Sequence, residues 1–239
     1  MISETLSEFE VCQIWSKKDI VMRGWFYLQR QLEHAKLPKT FFANIFKRGP
    51  ILDAGCGTGQ MVFDFTQLGY DAYGFDCAFF DQDLLNLMLK WSKLAPDRLI
   101  AAQSDALMFS DAQFQTITSF YGPLSYVKTV KSMEKTLAEF MRILKRNGKL
   151  IIAIVELNQP KGDFFWPVNQ VNALYDTAED IPLTEMEIQS IRQTFQHWLT
   201  SSISEGKIKA RAYHTRWDFS GPPEDYHCSI GFGVITKLK

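Results

Sequence analysis

At 239 residues with 46% hydrophobic positions, the chain can bury one substantial core and is too short for more than two small domains; it reads as one. Its 26 lysines and arginines stand against 27 aspartates and glutamates, which excludes an overall field pulling it to nucleic acid or an anionic membrane and favours a small or neutral partner. No apolar run approaches the ~20 residues of a bilayer span, and Met1 to Glu10 is acidic where a secretory signal would be basic and then apolar, so the expected location is the cytoplasm.

Residues 1–46 read as helices carrying Trp15, Trp25, Phe26 and Tyr27. From 50 to 155, short apolar runs alternate with longer segments of helical periodicity, the pattern of βαβ units and a parallel sheet. The predicted strands are Ile51 to Ala54, Asp71 to Phe75, Arg98 to Ala102, Gln115 to Phe120 and Lys149 to Val155. Between them, Met61 to Leu68 is helical. So is the stripe Phe80, Leu84, Leu87, Met88, Trp91 and Leu94, stopped by Pro96. Met133, Leu137, Phe140, Met141 and Leu144 form another, with Ser132 as N-cap and Asn147-Gly148 as a left-handed stop. Residues 156–183 are irregular and carry Phe164-Phe165-Trp166-Pro167; a helix follows over 184–199, opened by a Thr184/Glu187 capping box. Two alternating runs, Lys207 to Trp217 and Tyr226 to Thr236, are joined by so short a turn-rich segment that they pair antiparallel. Lys207, Lys209 and Arg211 fit the solvated face of an edge strand, where lysine also discourages edge pairing.

The four cysteines contain no C-x-x-C pair and the four histidines never recur at zinc-ligand spacing, so neither a metal site nor a disulfide framework is expected. The local signal that stands out is Asp53-Ala54-Gly55-Cys56-Gly57-Thr58-Gly59, directly after a strand and before a helix. Glycine permits a tight turn and close approach of a ligand to the backbone, and the following helix presents N–H groups to it. A dinucleotide loop reads G-x-G-x-x-G; this one reads G-x-G-x-G with an acid two places earlier, which disfavours a pyrophosphate. A nucleoside carrying an ammonium and a sulfonium suits such an acid better.

Here the sequence resembles the class I S-adenosylmethionine (SAM)-dependent methyltransferases, over roughly residues 40–156. The block Leu144-Lys145-Arg146-Asn147-Gly148-Lys149-Leu150 resembles the family's helix-to-strand passage. The resemblance implies a doubly wound, Rossmann-like α/β fold: a mostly parallel seven-stranded sheet with an antiparallel last strand, helices on both faces and helical lid additions. It implies SAM as cofactor, with Asp53, Ala54, Gly55, Gly57 and Gly59 forming the cofactor loop. It implies Asp76, beside Cys77, as the acid that accepts both ribose hydroxyls, although an aspartate there also suits a helix N-cap. It implies Asp105 and Ala106 at the adenine, and Phe120 lining the cofactor where the acceptor site begins.

The chain departs from relatives in having Phe114-Gln115 where many have phenylalanine-aspartate. Phe120-Tyr121-Gly122-Pro123 is not the motif of enzymes that methylate planar nitrogens, and no Pro-Cys nucleophile is present, which argues against nucleobase substrates. One domain over 1–239 is expected: an N-terminal helical lid (1–46), a SAM-binding core (47–156), a cap insertion and helix (157–206) and the terminal strand pair (207–239). The expected reaction is methyl transfer to a small-molecule acceptor. Trp25, Tyr27, Tyr121 and Trp166 are candidate acceptor contacts, and Tyr121 and Glu156 candidates for orienting or deprotonating it. Core packing is the competing role for the aromatics. A non-catalytic SAM-binding partner subunit and a protein methyltransferase are the alternatives. Acceptor atom and oligomeric state stay open.

Overall fold

Short apolar runs set between amphipathic segments assemble into one mixed sheet flanked by helices. The structure, a computed structural model, describes residues 48–156, 184–219 and 226–239, apart from Thr58, Tyr121, Tyr126 and Lys128. In chain order it comprises β1 (Ile51–Ala54), α1 (Gln60–Gln67), β2 (Ala72–Asp76), a 3-10 turn (Cys77–Phe80), α2 (Gln82–Ser92), β3 (Leu99–Ala101) and β4 (Phe114–Phe120). A second 3-10 turn (Pro123–Ser125), α3 (Val130–Ile143), β5 (Leu144–Glu156), α4 (Glu185–Ser204), β6 (Ile208–Phe219) and β7 (Tyr226–Lys237) follow. The sheet order is β3-β2-β1-β4-β5-β7-β6. Strands β1 to β5 are parallel, and β7 runs antiparallel to both β5 and β6. This is the expected doubly wound sheet with its reversed last strand. No described helix is long and apolar enough to cross a membrane.

Successive strand residues face opposite ways. Leu52, Ala54, Phe75, Ile117, Leu150 and Ile152 share one face, matched across the register, and are buried with Met133, Leu137 and Phe140 of α3 and Ile191, Phe195 and Leu199 of α4. Each large side chain fully buried there contributes about 1.5–3 kcal/mol. On the other face α1 lies over β1 and β2. A Cβ at Gly74 would meet Cys56 Sγ at 2.6 Å and Val62 Cγ2 at 2.7 Å, so glycine lets helix and loop seat directly on β2.

Local boundaries differ from the sequence reading where side chains outvote periodicity. Phe80 is not on the buried stripe of α2 but ends the 3-10 turn and is 63% exposed. The helix starts after it because Asp81 caps it: its carboxylate accepts from Asp83 N, and its carbonyl from Leu85 N, both at 3.1 Å. That helix stops at Ser92, before Pro96, where Lys93 turns left-handed (φ 56°). The N-cap of α3 is Thr129, not Ser132; its hydroxyl accepts from Ser132 N at 3.1 Å. Asn147-Gly148 does not end α3, since Leu144 is already extended. Lys237 of β7 satisfies carbonyls at this end, donating to those of Met141 (2.7 Å) and Leu144 (2.8 Å). Asn147 (φ 59°) instead lies within β5, where the register jumps from Phe114–Leu144 to Thr116–Lys149. The Thr184/Glu187 capping box is present and opens a helix that runs past residue 199 to Ser204. As expected, β6 is an edge strand with Lys209 and Arg211 exposed and Ile208 buried.

Candidate functional site

The parallel strands place Ala54, Asp76, Ala101, Phe120 and Glu156 at one edge of the sheet, their carboxyl ends. Strand order reverses at β1, between β2 and β4, and open α/β sheets bind ligands in the crevice at such a point. The glycine loop leaves β1 there. Gly55, Gly57 and Gly59 have φ of 73°, 50° and 78°, a conformation that L side chains rarely adopt. The N–H groups of Gly55 and Cys56 both donate to the Phe75 carbonyl (2.9 and 3.0 Å), and Gly57 N donates to Asp76 Oδ2 at 3.1 Å. The carboxylate ending β2 thus holds the loop that ends β1.

Asp53 lies beneath this loop, 4% exposed, on the face that Thr118 of β4 shares; Thr118 Oγ1 donates to its Oδ1 at 2.7 Å. Burial raises the Asp53 carboxyl from 3.8 to about 7, the Thr118 hydrogen bond opposes the shift, and the charge of Asp76 adds to it. Burial and the same two carboxylates push the Cys56 thiol well up, which makes it a packing group and not a nucleophile. Asp76, joined by Asp53 once that carboxyl ionises, flanks a loop whose N–H groups at Gly55, Cys56 and Gly57 are already engaged, an arrangement that repels phosphate and favours a cationic, hydroxyl-bearing ligand.

Next to Asp76, Cys77 is exposed. The carbonyl of Asp76 accepts from Ala102 N (3.4 Å), so the segment leaving β3 with Asp105 and Ala106 begins beside it. Asp105 forms an ion pair with Lys135 at 3.8 Å, and Ala106 is exposed in a turn closed by its N–H to the Gln103 carbonyl. Phe120 and Glu156 end β4 and β5 on the same edge. Trp25, Tyr27, Tyr121 and Trp166 lie outside the described residues, as do the expected lid (1–46), most of the cap insertion and the turn between β6 and β7.

Two residues here escaped the sequence reading. Thr118 was only one polar position in a strand, and its partner lies 65 residues away. Gly122 is required by packing: a Cβ there would stand 2.0 Å from the Ala54 carbonyl oxygen, so only glycine lets the chain leaving β4 cross the end of β1. The visible hint was the Gly122-Pro123 pair directly after a strand.

A methyltransferase domain family matches residues 51–148. A demethylmenaquinone methyltransferase of Renibacterium salmoninarum is 30% identical over 104 residues, 43% of this chain and 40% of that protein, so the match spans less than half of the relative. Among solved structures, the YcgJ protein of Bacillus subtilis has a TM-score of 0.57 at 14% identity, covering 87% of this chain and 99% of that one. The N-methyltransferase NodS of Bradyrhizobium japonicum, solved in complex with S-adenosyl-L-homocysteine, has a TM-score of 0.53 at 10% identity over 87% of each chain. At these identities the solved structures speak to the fold. Residues 51–148, the stretch that carries the glycine loop, are thus similar to a methyltransferase domain, and the chain shares its fold with solved methyltransferase structures.

Proposed function

We propose that the chain transfers a methyl group from SAM to a small-molecule acceptor. The observation carrying this reading is the pair of carboxylates around the glycine loop at the strand-order reversal: Asp53 buried beneath it and Asp76 bonded to Gly57 N. A carboxylate in the place of Asp76, at the end of β2, suits two ribose hydroxyls. Asp53 adds negative charge under the loop as pH rises through about 7, Gly55 and Gly57 admit a ligand close to the backbone, and Asp105 and Ala106 flank the adenine. When bound, SAM supplies a methyl group activated by the positive charge of its sulfur. The chain's own part is then to align the acceptor, exclude water and, for an acceptor that carries a proton, remove it. We assign acceptor contact to Trp25, Tyr27, Tyr121 and Trp166, proton handling to Tyr121 and Glu156, and cofactor lining to Cys77 and Phe120.

The test is to incubate purified protein with methyl-labelled SAM and a cell extract and to find the label by mass spectrometry. Label on a small molecule is the expected result. Label confined to protein or RNA rejects the acceptor class, and no transfer with SAM bound favours a non-catalytic subunit. Replacing Trp25 or Trp166 by alanine should lower turnover more than SAM affinity, read as kcat against Kd. An affinity loss as large as the rate loss moves these residues out of the acceptor site.

A further inference from the structure

The segment between β3 and β4 that bears Asp105 and Ala106 has no strand or helix of its own, yet one side of α3 holds it along its length. Thr136, Glu139 and Arg142, three residues apart, stack along that side. Ser104 Oγ lies 3.0 Å from Thr136 Oγ1, and Lys135 reaches Asp105. Glu139 Oε2 accepts from Leu107 N at 2.9 Å. Arg142 donates to the carbonyls of Leu107 (2.9 Å) and Phe109 (2.8 Å) and to the carboxylate of Asp111 (2.7 Å). Its own carbonyl accepts from Ala112 N at 2.9 Å. Glu139 in turn fixes the guanidinium through two bonds of 2.8 Å. Met133, Leu137 and Phe140, buried to within 1%, anchor the same helix in the core. The segment is thus fastened to a rigid body by a planar fork that uses several donors at once, a task the single ammonium of lysine cannot reproduce.

We propose that Glu139 and Arg142 are positioning residues for the nucleoside: they set the Asp105-Ala106 turn beside Asp76 before ligand arrives, so that binding does not have to order it. This rests on the SAM reading above. Neither residue contacts the ligand; both act through the turn.

The experiment is calorimetric titration with S-adenosyl-L-homocysteine and with S-inosyl-L-homocysteine, in which an oxo group replaces the adenine amino group. Wild type, Arg142→Met, Arg142→Lys and Glu139→Gln are compared, each well below its melting midpoint. Wild type should prefer the adenine ligand. Arg142→Met should bind it at least about tenfold more weakly while losing less for the inosine ligand, so that the preference shrinks; Arg142→Lys and Glu139→Gln should fall between. Folded variants with wild-type affinity and preference overturn the proposal, as does a wild type indifferent to the base. If Arg142→Met does not fold, the other two variants decide by the same ratio. A wild type that binds neither ligand overturns the SAM reading itself, a result distinct from unchanged ratios in a wild type that binds.

Discussion

Asp76→Ala is expected to weaken SAM binding at least about tenfold, because a carboxylate that accepts two hydroxyl hydrogen bonds contributes more than the ~1.4 kcal/mol that a factor of ten represents. The structure adds a second consequence. Gly57 N donates to the same carboxylate, so alanine also removes the acceptor that holds the loop at Gly57. Gly57 is only partly buried, water can replace the lost acceptor, and the ligand-free melting midpoint should fall by no more than a few degrees. Asp76→Asn separates the two roles. Its amide oxygen can still accept from Gly57, whereas its amino group offers a donor where the ribose needs an acceptor. The asparagine variant should therefore melt like wild type and still bind SAM poorly. Calorimetric titration beside ligand-free melts measures both quantities. Wild-type affinity in the alanine variant would take Asp76 out of the cofactor site, and a collapse of the ligand-free midpoint would make loop-holding its main role.

Asp53→Asn is expected to stabilise the ligand-free protein above neutral pH. The carboxyl of Asp53 is raised from 3.8 to about 7 in the folded state. Between those values the folded chain holds a proton that the unfolded chain has released, so stability falls as pH rises. The contribution is fully present below about pH 4 and is lost by the time pH passes through about 7, some 3 pK units or about 4 kcal/mol in all. Asparagine is neutral throughout and can keep the bond from Thr118 Oγ1, so it should remove this slope. Denaturant unfolding at pH 5 and pH 8 checks it: the part of the wild-type loss due to Asp53, about 2–3 kcal/mol, should be missing in the variant. Equal pH slopes in the two proteins would mean that Asp53 ionises at an ordinary carboxylate pKa despite its burial.

Features legible in the sequence were those whose cause lies within a few neighbouring residues. The first four parallel strands were legible to within a residue, and the fifth apart from its first five residues, because apolar runs and helical periodicity are local consequences of which face is buried. The Thr184/Glu187 box was visible because its partners are three residues apart. The glycine loop was visible because strand, acid, glycines and helix follow one another directly, and Asp76 because it ends the next strand. Tertiary structure alone decided the rest. The last carbonyls of α3 find their partner in Lys237, the state of Asp53 is set by Thr118 and the depth of its burial, and the fit of Gly122 by the Ala54 carbonyl. Leu107, directly after the Asp105-Ala106 turn, is bonded by Glu139 and Arg142, more than thirty residues further along. Periodicity and propensity report the conformation of a segment, but the bond between two distant side chains exists only once the sheet order has brought their strands and helices side by side.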